Sequence, residues 1–160
     1  MNALSQATAH EKHSDAQPEP SHDDLRRAHE LLQSTLTFVR EQAKPWSGSG
    51  LARASDDPYV ISRFGDLLIR IEVAAALQER AQALLAREQD VAEVGVAQAE
   101  AAIASREALL AVSNAEFELT GQRSPLPAAL DEPLRWKYPL IGNYRLNAFD
   151  MNCVGHQSPG

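Results

Sequence analysis

An alanine-rich segment carries the strongest fold signal in this chain: residues 91–119 read VAEVGVAQAEAAIASREALLAVSNAEFEL. Apolar residues recur in it every three or four positions, which is the spacing of one face of an α-helix. Asp90 and Glu93 form a capping pair at its start, and Gly121 ends it. Small residues at positions 97, 101, 104 and 108 let a neighbouring helix approach closely. The segment therefore predicts a long, closely packed helix. Its apolar positions are Val91, Val94, Ala101, Ala104, Ala108, Leu109, Val112 and Phe117.

Two more helices are predicted upstream of this segment. Residues 22–44 repeat apolar side chains at the same spacing, with Ser21 as a helix cap and Pro45 as a stop. Residues 58–88 follow after a glycine–serine turn, and Asp57 supplies the N-cap. The apolar stripe of this helix is roughly 45 Å long at 1.5 Å per residue. It is wide enough to require two neighbouring helices.

The predicted fold class is all-α: an antiparallel helical bundle of three long helices plus a shorter fourth segment after Pro133. No segment alternates polar and apolar residues as a half-buried strand would. A chain of 160 residues with 44% hydrophobic content is long enough to form one such domain. We expect a disordered tail at 1–20, the bundle at 21–147 and a flexible tail at 148–160.

The distribution of charge argues against several classes of partner. The net charge is −7, and the lysines and arginines are scattered singly among acidic residues, without the cationic stripe that a nucleic-acid backbone requires. No apolar run approaches the roughly 20 residues that span a bilayer, and the first residues do not form a secretory signal. The sequence thus predicts a cytoplasmic protein with no nucleic-acid partner and no membrane partner.

No metal site is predicted. His10, His13 and His22 fall in or beside the N-terminal tail, without a second ligand pair on a fixed element. The glutamates of the helices lack the Glu-x-x-His partner of di-metal bundles, and we interpret them as a solvated charged face. These glutamates are Glu72, Glu79, Glu93, Glu100 and Glu107.

Two segments concentrate aromatic and cationic residues: residues 56–67, DDPYVISRFGDL, and residues 131–147, DEPLRWKYPLIGNYRLN. Together they resemble the C-terminal helical domain of acyl-CoA dehydrogenase-like flavoproteins, in particular their flavin-dependent monooxygenase branch. The resemblance covers residues 23–147. It implies a flavin cofactor, FAD or FMN, and oxidoreductase or monooxygenase activity in the complete enzymes.

The resemblance places Arg63 near the position where related proteins present an arginine to the flavin phosphate across a subunit interface. Arginine suits this role because its planar donors pair with two phosphate oxygens at once. The surrounding residues also allow a purely structural interpretation, with Asp57 at the helix start, Phe64 in the core and Gly65 at a close contact. Both interpretations stay open at this point.

Arg135, Trp136 and Lys137 are the other predicted cofactor-binding residues. The aromatic side chain would stack on the ring system of the cofactor, and the cations would meet its phosphate. The alternative is that Trp136 and Tyr144 only cover the open end of the bundle.

The chain departs from the family pattern at two places. The family's monooxygenase branch commonly has histidine directly after the Arg-Trp-Lys-Tyr run, where this chain has Pro139 and Leu140. Neither residue exchanges protons, so no catalytic residue is predicted. The connection 125–132 is also shorter than in the family and lacks its His-Trp-Arg-Asn-like motif.

The resemblance and these departures together imply a stand-alone or truncated C-terminal domain that is inactive alone. We expect it to form a homo-oligomer or to complete a flavin site with a partner that carries the other domains of the family. The long apolar stripe of residues 58–88 motivates self-association, because one small bundle cannot cover it. The alternative function is a non-catalytic oligomerisation or binding module, or a gene remnant.

Overall fold

The computed structural model describes residues 20–88, 90–126 and 134–151, with side chains described over 23–88, 90–126 and 134–147. Every element in these ranges is helical, which confirms the predicted all-α bundle of three long helices and a shorter fourth. The elements are α1 (Pro20–Glu41), a 3₁₀ turn (Ala54–Asp56), α2 (Pro58–Ala86), α3 (Val91–Thr120), a second 3₁₀ turn (Leu134–Trp136) and α4 (Lys137–Met151).

The predicted caps start both α2 and α3. The carboxylate of Asp57 accepts a hydrogen bond from the Tyr59 amide at 2.8 Å. The carboxylate of Asp90 accepts one from the Ala92 amide at 3.3 Å. Each cap satisfies a backbone donor that the first helical turn leaves without a partner. The sequence therefore fixes where these two helices begin.

The helix ends follow the backbone preferences of single residues. Gly121 ends α3 in the left-handed conformation, with φ of 72°. α1 ends at Glu41 and α2 at Ala86, three and two residues earlier than predicted. Pro45 disfavours helical backbone in the residue ahead of it, and Glu88 adopts φ of 53°, which no α-helix continues through.

α3 is the central helix of the bundle, because α1, α2 and α4 all pack against it. The largest fully buried side chains include Leu67 and Ile71 of α2 and Leu109 and Val112 of α3, which share one core with residues of α1. Burying one such side chain contributes about 1.5 to 3 kcal/mol. The three long helices therefore supply the hydrophobic core.

The small residues of α3 lie where its neighbours approach closely, as predicted. Ala97 and Ala101 form a buried cluster with Ala81 of α2. Ala108 is buried in the main core with residues of α1 and α2. A larger side chain at these positions would push the helices apart.

Two buried polar contacts join α3 to its long neighbours. Arg106 Nε lies 2.8 Å from Asp24 Oδ2 of α1, and both side chains are almost fully buried. Burial raises the pKa of Asp24 and outweighs the attraction of the Arg106 guanidinium. On the α2 side, Gln78 Nε2 donates to Ser105 Oγ at 3.1 Å. Since a buried polar group without a partner is costly, these contacts favour one register of α1 and α2 on α3.

The outer face of α2 is apolar and open. Ile61, Leu68, Ile69 and Val73 remain between 46% and 66% exposed. A Cβ atom added at Gly65 would meet no heavy atom within 4 Å, so the close contact predicted at Gly65 is wrong. The neighbours of α2 cover only its opposite face, where Phe64 is buried in the core as predicted.

Two apolar positions of α3 that we predicted to face a neighbour are exposed instead. Val91 is 85% exposed and Phe117 is 54% exposed. Val91 is the first residue of α3, and the Phe117 ring faces the Arg123 guanidinium instead of another helix.

The predicted tails are described only in part. Residues 1–19 of the predicted N-terminal tail lie outside the described residues, and α1 begins at Pro20. α4 continues to Met151, four residues into the predicted flexible tail, whose residues 152–160 are also outside the description. Within the described ranges, no helix is long and apolar enough to cross a membrane.

Candidate functional site

Three glutamates of α3 form a row along one side of the helix: Glu100, Glu107 and Glu118, which we call the carboxylate row. Their spacings of seven and eleven residues correspond closely to two and three helical turns, so their side chains leave α3 in nearly the same direction. We predicted Glu100 and Glu107 to belong to a solvated face. For Glu100 this is wrong, because its side chain is only 18% exposed and is paired with two arginines.

Arg63 lies at the Glu118 end of the carboxylate row. Its Nε is 3.3 Å from Glu118 Oε2, and its Nη1 is 3.4 Å from Asp66 Oδ2. The hydroxyl of Tyr59 donates to the other oxygen of Glu118. Asp66 also accepts a hydrogen bond from Arg70 Nε at 2.9 Å. Two arginines thus face two carboxylates, and the positive charge of Arg63 is compensated within the chain.

α4 is tied to the other end of the row by two contacts spaced seven residues apart. Tyr138 Oη donates to Glu107 Oε1 at 2.7 Å, and Arg145 Nη2 donates to Glu100 Oε1 at 2.9 Å. Because the higher-numbered residue of α4 meets the lower-numbered residue of α3, the two helices are antiparallel. Glu100 Oε2 also accepts from Arg80 Nη1 of α2 at 2.8 Å, so one carboxylate joins three helices.

The tyrosines on the row are held in their neutral form. The hydrogen bond to Glu118 raises the pKa of Tyr59, and the hydrogen bond to Glu107 raises the pKa of Tyr138. A neighbouring carboxylate disfavours the phenolate by charge repulsion. Both hydroxyls therefore serve as hydrogen-bond donors at neutral pH and not as bases.

Arg135, Trp136 and Lys137 lie where the second 3₁₀ turn runs into α4. Arg135 Cζ is 5.0 Å from the centroid of the Trp136 ring, which is within cation–π distance. The Trp136 side chain is 61% exposed, which does not fit the alternative that this ring covers the open end of the bundle. Lys137 is half-buried beside them.

The two predicted groups share one side of α3 but do not meet. Arg63 is anchored at Glu118, and the start of α4 is anchored at Glu107. The eleven residues between these glutamates correspond to about 16 Å along the helix axis. Arg135 precedes Tyr138 on the antiparallel α4 and therefore lies nearer Glu118 than Tyr138 does, which leaves about 10 Å between the two groups along this axis.

The space between the two groups holds residues that sequence reasoning missed. Arg123 Cζ lies 5.4 Å from the centroid of the Phe117 ring. Its Nη2 donates to Asn114 Oδ1 at 3.1 Å. The signal that could have revealed Arg123 is its place two residues after Gly121, where a helix-ending glycine turns the chain back over the last turn.

This surface can bind and stack a ligand, but its residues form no acid–base pair. Pro139 and Leu140 occupy the positions after Tyr138, and Leu140 is 49% exposed. Residues 127–133, which include most of the shortened connection, lie outside the described residues. In the described part of the chain, no group of three or more His, Cys, Asp or Glu residues is arranged to hold a metal ion.

Comparisons with known proteins identify monooxygenases as relatives. No protein-family model matches the chain. Dibenzothiophene monooxygenase of Mycolicibacterium goodii is 30% identical over 138 residues, which make up 72% of this chain and 33% of that protein. The probable FMNH2-dependent monooxygenase SfnC of Pseudomonas putida is 29% identical over 132 residues, 69% of this chain and 33% of that protein. This chain spans about a third of the length of the curated relatives it matches.

A solved structure shares the fold described above. Methanesulfinate monooxygenase MsuC of Pseudomonas fluorescens superposes with a TM-score of 0.70 at 25% sequence identity. The superposition covers 80% of this chain and 39% of that one. The overlap therefore concerns the helical bundle and not the whole of the larger protein.

Proposed function

Because this chain belongs to the acyl-CoA dehydrogenase-like, flavin-dependent monooxygenases, we propose that it serves as their C-terminal helical domain and contributes one wall of a flavin site. The match spans about a third of the relatives, so the other walls of such a site would come from residues outside these 160. In this proposal the 160 residues do not catalyse oxidation by themselves. A cytoplasmic location belongs to the same proposal.

The observation that carries the proposal is the exposed Trp136 ring with the Arg135 guanidinium stacked on it. A flavin offers a planar ring system and a phosphate, which are complementary to an aromatic face and to a guanidinium group. The residues present therefore fit a flavin. A bound flavin supplies the redox chemistry, whereas these side chains bind and orient it.

The positions after Tyr138 offer no acid or base, which supports a binding role over a catalytic one. Pro139 and Leu140 cannot exchange protons, and Tyr138 is engaged as a donor to Glu107. We expect the purified chain, supplied with reduced flavin, to oxidise neither acyl-CoA nor organosulfur compounds. Product formation that depends on flavin and is abolished by Trp136→Ala would contradict this expectation.

A flavin titration tests the binding role. The purified full chain is titrated with FMN and with FAD, and binding is followed by flavin fluorescence. Trp136→Ala should weaken binding by about 1 kcal/mol, the value of an aromatic stacking contact. Trp46→Ala is the matched control, because Trp46 is also exposed, at 76%, but lies in the α1–α2 connection. A chain that binds no flavin, or that loses affinity equally in both variants, would sink the proposal.

We propose Arg63 as a phosphate contact shared between subunits or with a larger partner. Its distances of 3.3 and 3.4 Å to Glu118 and Asp66 exceed the usual length of charge-assisted hydrogen bonds, so its present contacts are weak ones. Arg63→Ala should weaken flavin binding by about 1.5 to 3 kcal/mol, while the helix content by circular dichroism stays intact. Unchanged flavin affinity would make Arg63 a structural residue.

The second candidate function is an oligomerisation module, and the open face of α2 favours it. Ile61, Leu68, Ile69 and Val73 are exposed apolar side chains on the outer side of one helix. We expect the chain to self-associate at tens of micromolar, and Ile69→Glu should shift it towards the monomer. Light scattering is the measurement, and Glu79→Gln on the same helix is the control. A monodisperse wild-type monomer that binds no hydrophobic dye would rule out this function.

A further inference from the structure

The arginines near the C-terminal part of α3 differ in how their charge is compensated. Arg63 shares a balanced set of two arginines and two carboxylates with Arg70. Arg123 and Arg135 instead contact neutral groups: an amide oxygen and an aromatic ring for Arg123, and an aromatic ring for Arg135. Among the side chains that the structure describes, no carboxylate lies within ion-pair distance of either guanidinium. Within the described residues, the charge of these two arginines is therefore not paired with a carboxylate.

Helix geometry brings Arg123 and Arg135 to the same part of α3. Arg123 is bonded to Asn114, which is seven residues beyond Glu107 and so about 10 Å along the α3 axis. Arg135 precedes Tyr138, the residue tied to Glu107, and the antiparallel course of α4 directs it towards Asn114. At a rise of about 2 Å per residue, Arg135 lies about 6 Å from Tyr138 along the α3 axis. It therefore lies within roughly 5 Å of Asn114 along that axis.

The ring stacking prepares both guanidinium groups for an anion. A guanidinium that lies flat on an aromatic ring keeps its N–H edges outward, and these edges match two oxygens of a phosphate. The two rings, Phe117 and Trp136, are 54% and 61% exposed, so the surface is open to solvent. With a net charge of −7 the chain as a whole repels anions, so two neighbouring arginines that face neutral groups form a local exception.

We propose that Arg123 and Arg135 form an anion-binding site beside residues 110–117 of α3, and that this site takes the phosphate group of a flavin. The inference rests on the proposed function and deepens it by naming the residues that meet the phosphate. Arg123 is the new member of the site.

Comparing FMN with riboflavin, which lacks the phosphate, isolates the contribution of this site. The full chain and its variants are titrated with both flavins, and circular dichroism checks that each variant is folded. Arg123→Ala and Arg135→Ala should each weaken FMN binding about tenfold and leave riboflavin binding unchanged, as expected for a lost charged hydrogen bond. Arg87→Ala removes one exposed positive charge at the C-terminal end of α2. It should change neither FMN binding nor riboflavin binding. Arg123→Lys should recover part of the FMN affinity.

The outcomes separate this inference from the proposed function. If the chain binds both flavins equally and Arg123→Ala changes neither, flavin binding stands but the phosphate site is overturned. If no flavin binds, the proposed function fails, and inorganic phosphate alone then tests the site through the ¹⁵N Nε resonances of Arg123 and Arg135. Saturable shifts of both resonances support an anion site that is independent of flavin. Absence of such shifts overturns the site as well.

Discussion

The three long helices and α4 are held in place by different forces. α2 and α3 bury Leu67, Ile71 and Leu109 completely. Each such side chain contributes about 1.5 to 3 kcal/mol to the free energy of unfolding. In α4 none of the described side chains is buried, and its polar contacts with α3 include Tyr138–Glu107 and Arg145–Glu100. Exposed polar contacts of this kind contribute about 1 kcal/mol or less each. The chain thus combines a firm core with a weakly attached fourth helix.

The difference places two of the candidate ligand-binding residues, Arg135 and Trp136, beside the less stable helix. Elements with few buried apolar contacts open at lower free energy than the core. Arg135 and Trp136 lie in the 3₁₀ turn that leads into the weakly attached helix, whereas Arg63 lies on the firmly packed α2. A partner that docks on this side would therefore contact the rigid helix α2 and the less stable helix α4.

The largest expected effect is a core truncation. Leu109→Ala should lower the free energy of unfolding by about 3 kcal/mol, because it removes a fully buried side chain and leaves a cavity. Leu146→Ala in α4, where the leucine is 78% exposed, should change it by less than about 0.5 kcal/mol. Chemical denaturation measures both. Equal losses would show that α4 belongs to the cooperative core.

A buried charge gives a similar or slightly smaller effect in the core. Asp24→Asn should cost about 3 kcal/mol, because it leaves the Arg106 guanidinium buried without its counter-charge. Replacing both residues, as Asp24→Leu with Arg106→Met, should recover most of that loss. Thermal and denaturant unfolding test this pair. A double variant as unstable as the single one would mean that the carboxylate acts by some route other than this ion pair.

Glu100 tests the attachment of α4 directly. Glu100→Gln should lower the global free energy of unfolding by less than about 1 kcal/mol, since the contacts are partly exposed. It should nevertheless speed amide hydrogen exchange throughout α4, while amides near Leu109 remain protected. Glu72→Gln, an exposed glutamate of α2, is the control. Unchanged exchange in α4 would show that other contacts hold this helix.

The smallest effect is expected at alkaline pH. The pKa of Tyr138 is raised above its ordinary value of 10.0 by the hydrogen bond to Glu107. The stabilising contact is therefore fully present below pH 10.0 and is lost as the pH rises through the raised value. Hydrogen exchange of α4 relative to α3 should increase over this range, and Tyr138→Phe should remove the pH dependence. A pH response that persists in Tyr138→Phe would assign it to another group.

Local signals in the sequence predicted much of the fold. Asp57, Asp90 and Gly121 act on backbone groups within four residues, so their roles can be assigned without the tertiary structure. The role of Glu100 could not be predicted, because its partners Arg80 and Arg145 are 20 and 45 residues away. Helical periodicity alone cannot distinguish a solvated glutamate from one that joins three helices.

The candidate site was predicted less completely than the fold. Arg135 and Trp136 were found through composition, and their stacking is a contact between neighbours in sequence. Arg123 was missed because its environment depends on how the chain turns after α3 and lies against Phe117 and Asn114. The compensation of Arg63 by Glu118 was also not visible, since these residues are 55 positions apart in the chain.

The central position of α3 has a consequence for synthesis of the chain. α1 packs mainly on α3, yet α3 begins at Val91, 50 residues after α1 ends at Glu41. At typical translation rates of about 5 to 20 residues per second, synthesis of these 50 residues takes roughly 3 to 10 s, and only then does α3 begin to emerge. During that interval Leu25, Leu32 and Val39, which are buried in the finished bundle, remain uncovered. We therefore expect the nascent chain to be most prone to chaperone capture or aggregation between the emergence of α1 and the completion of α3.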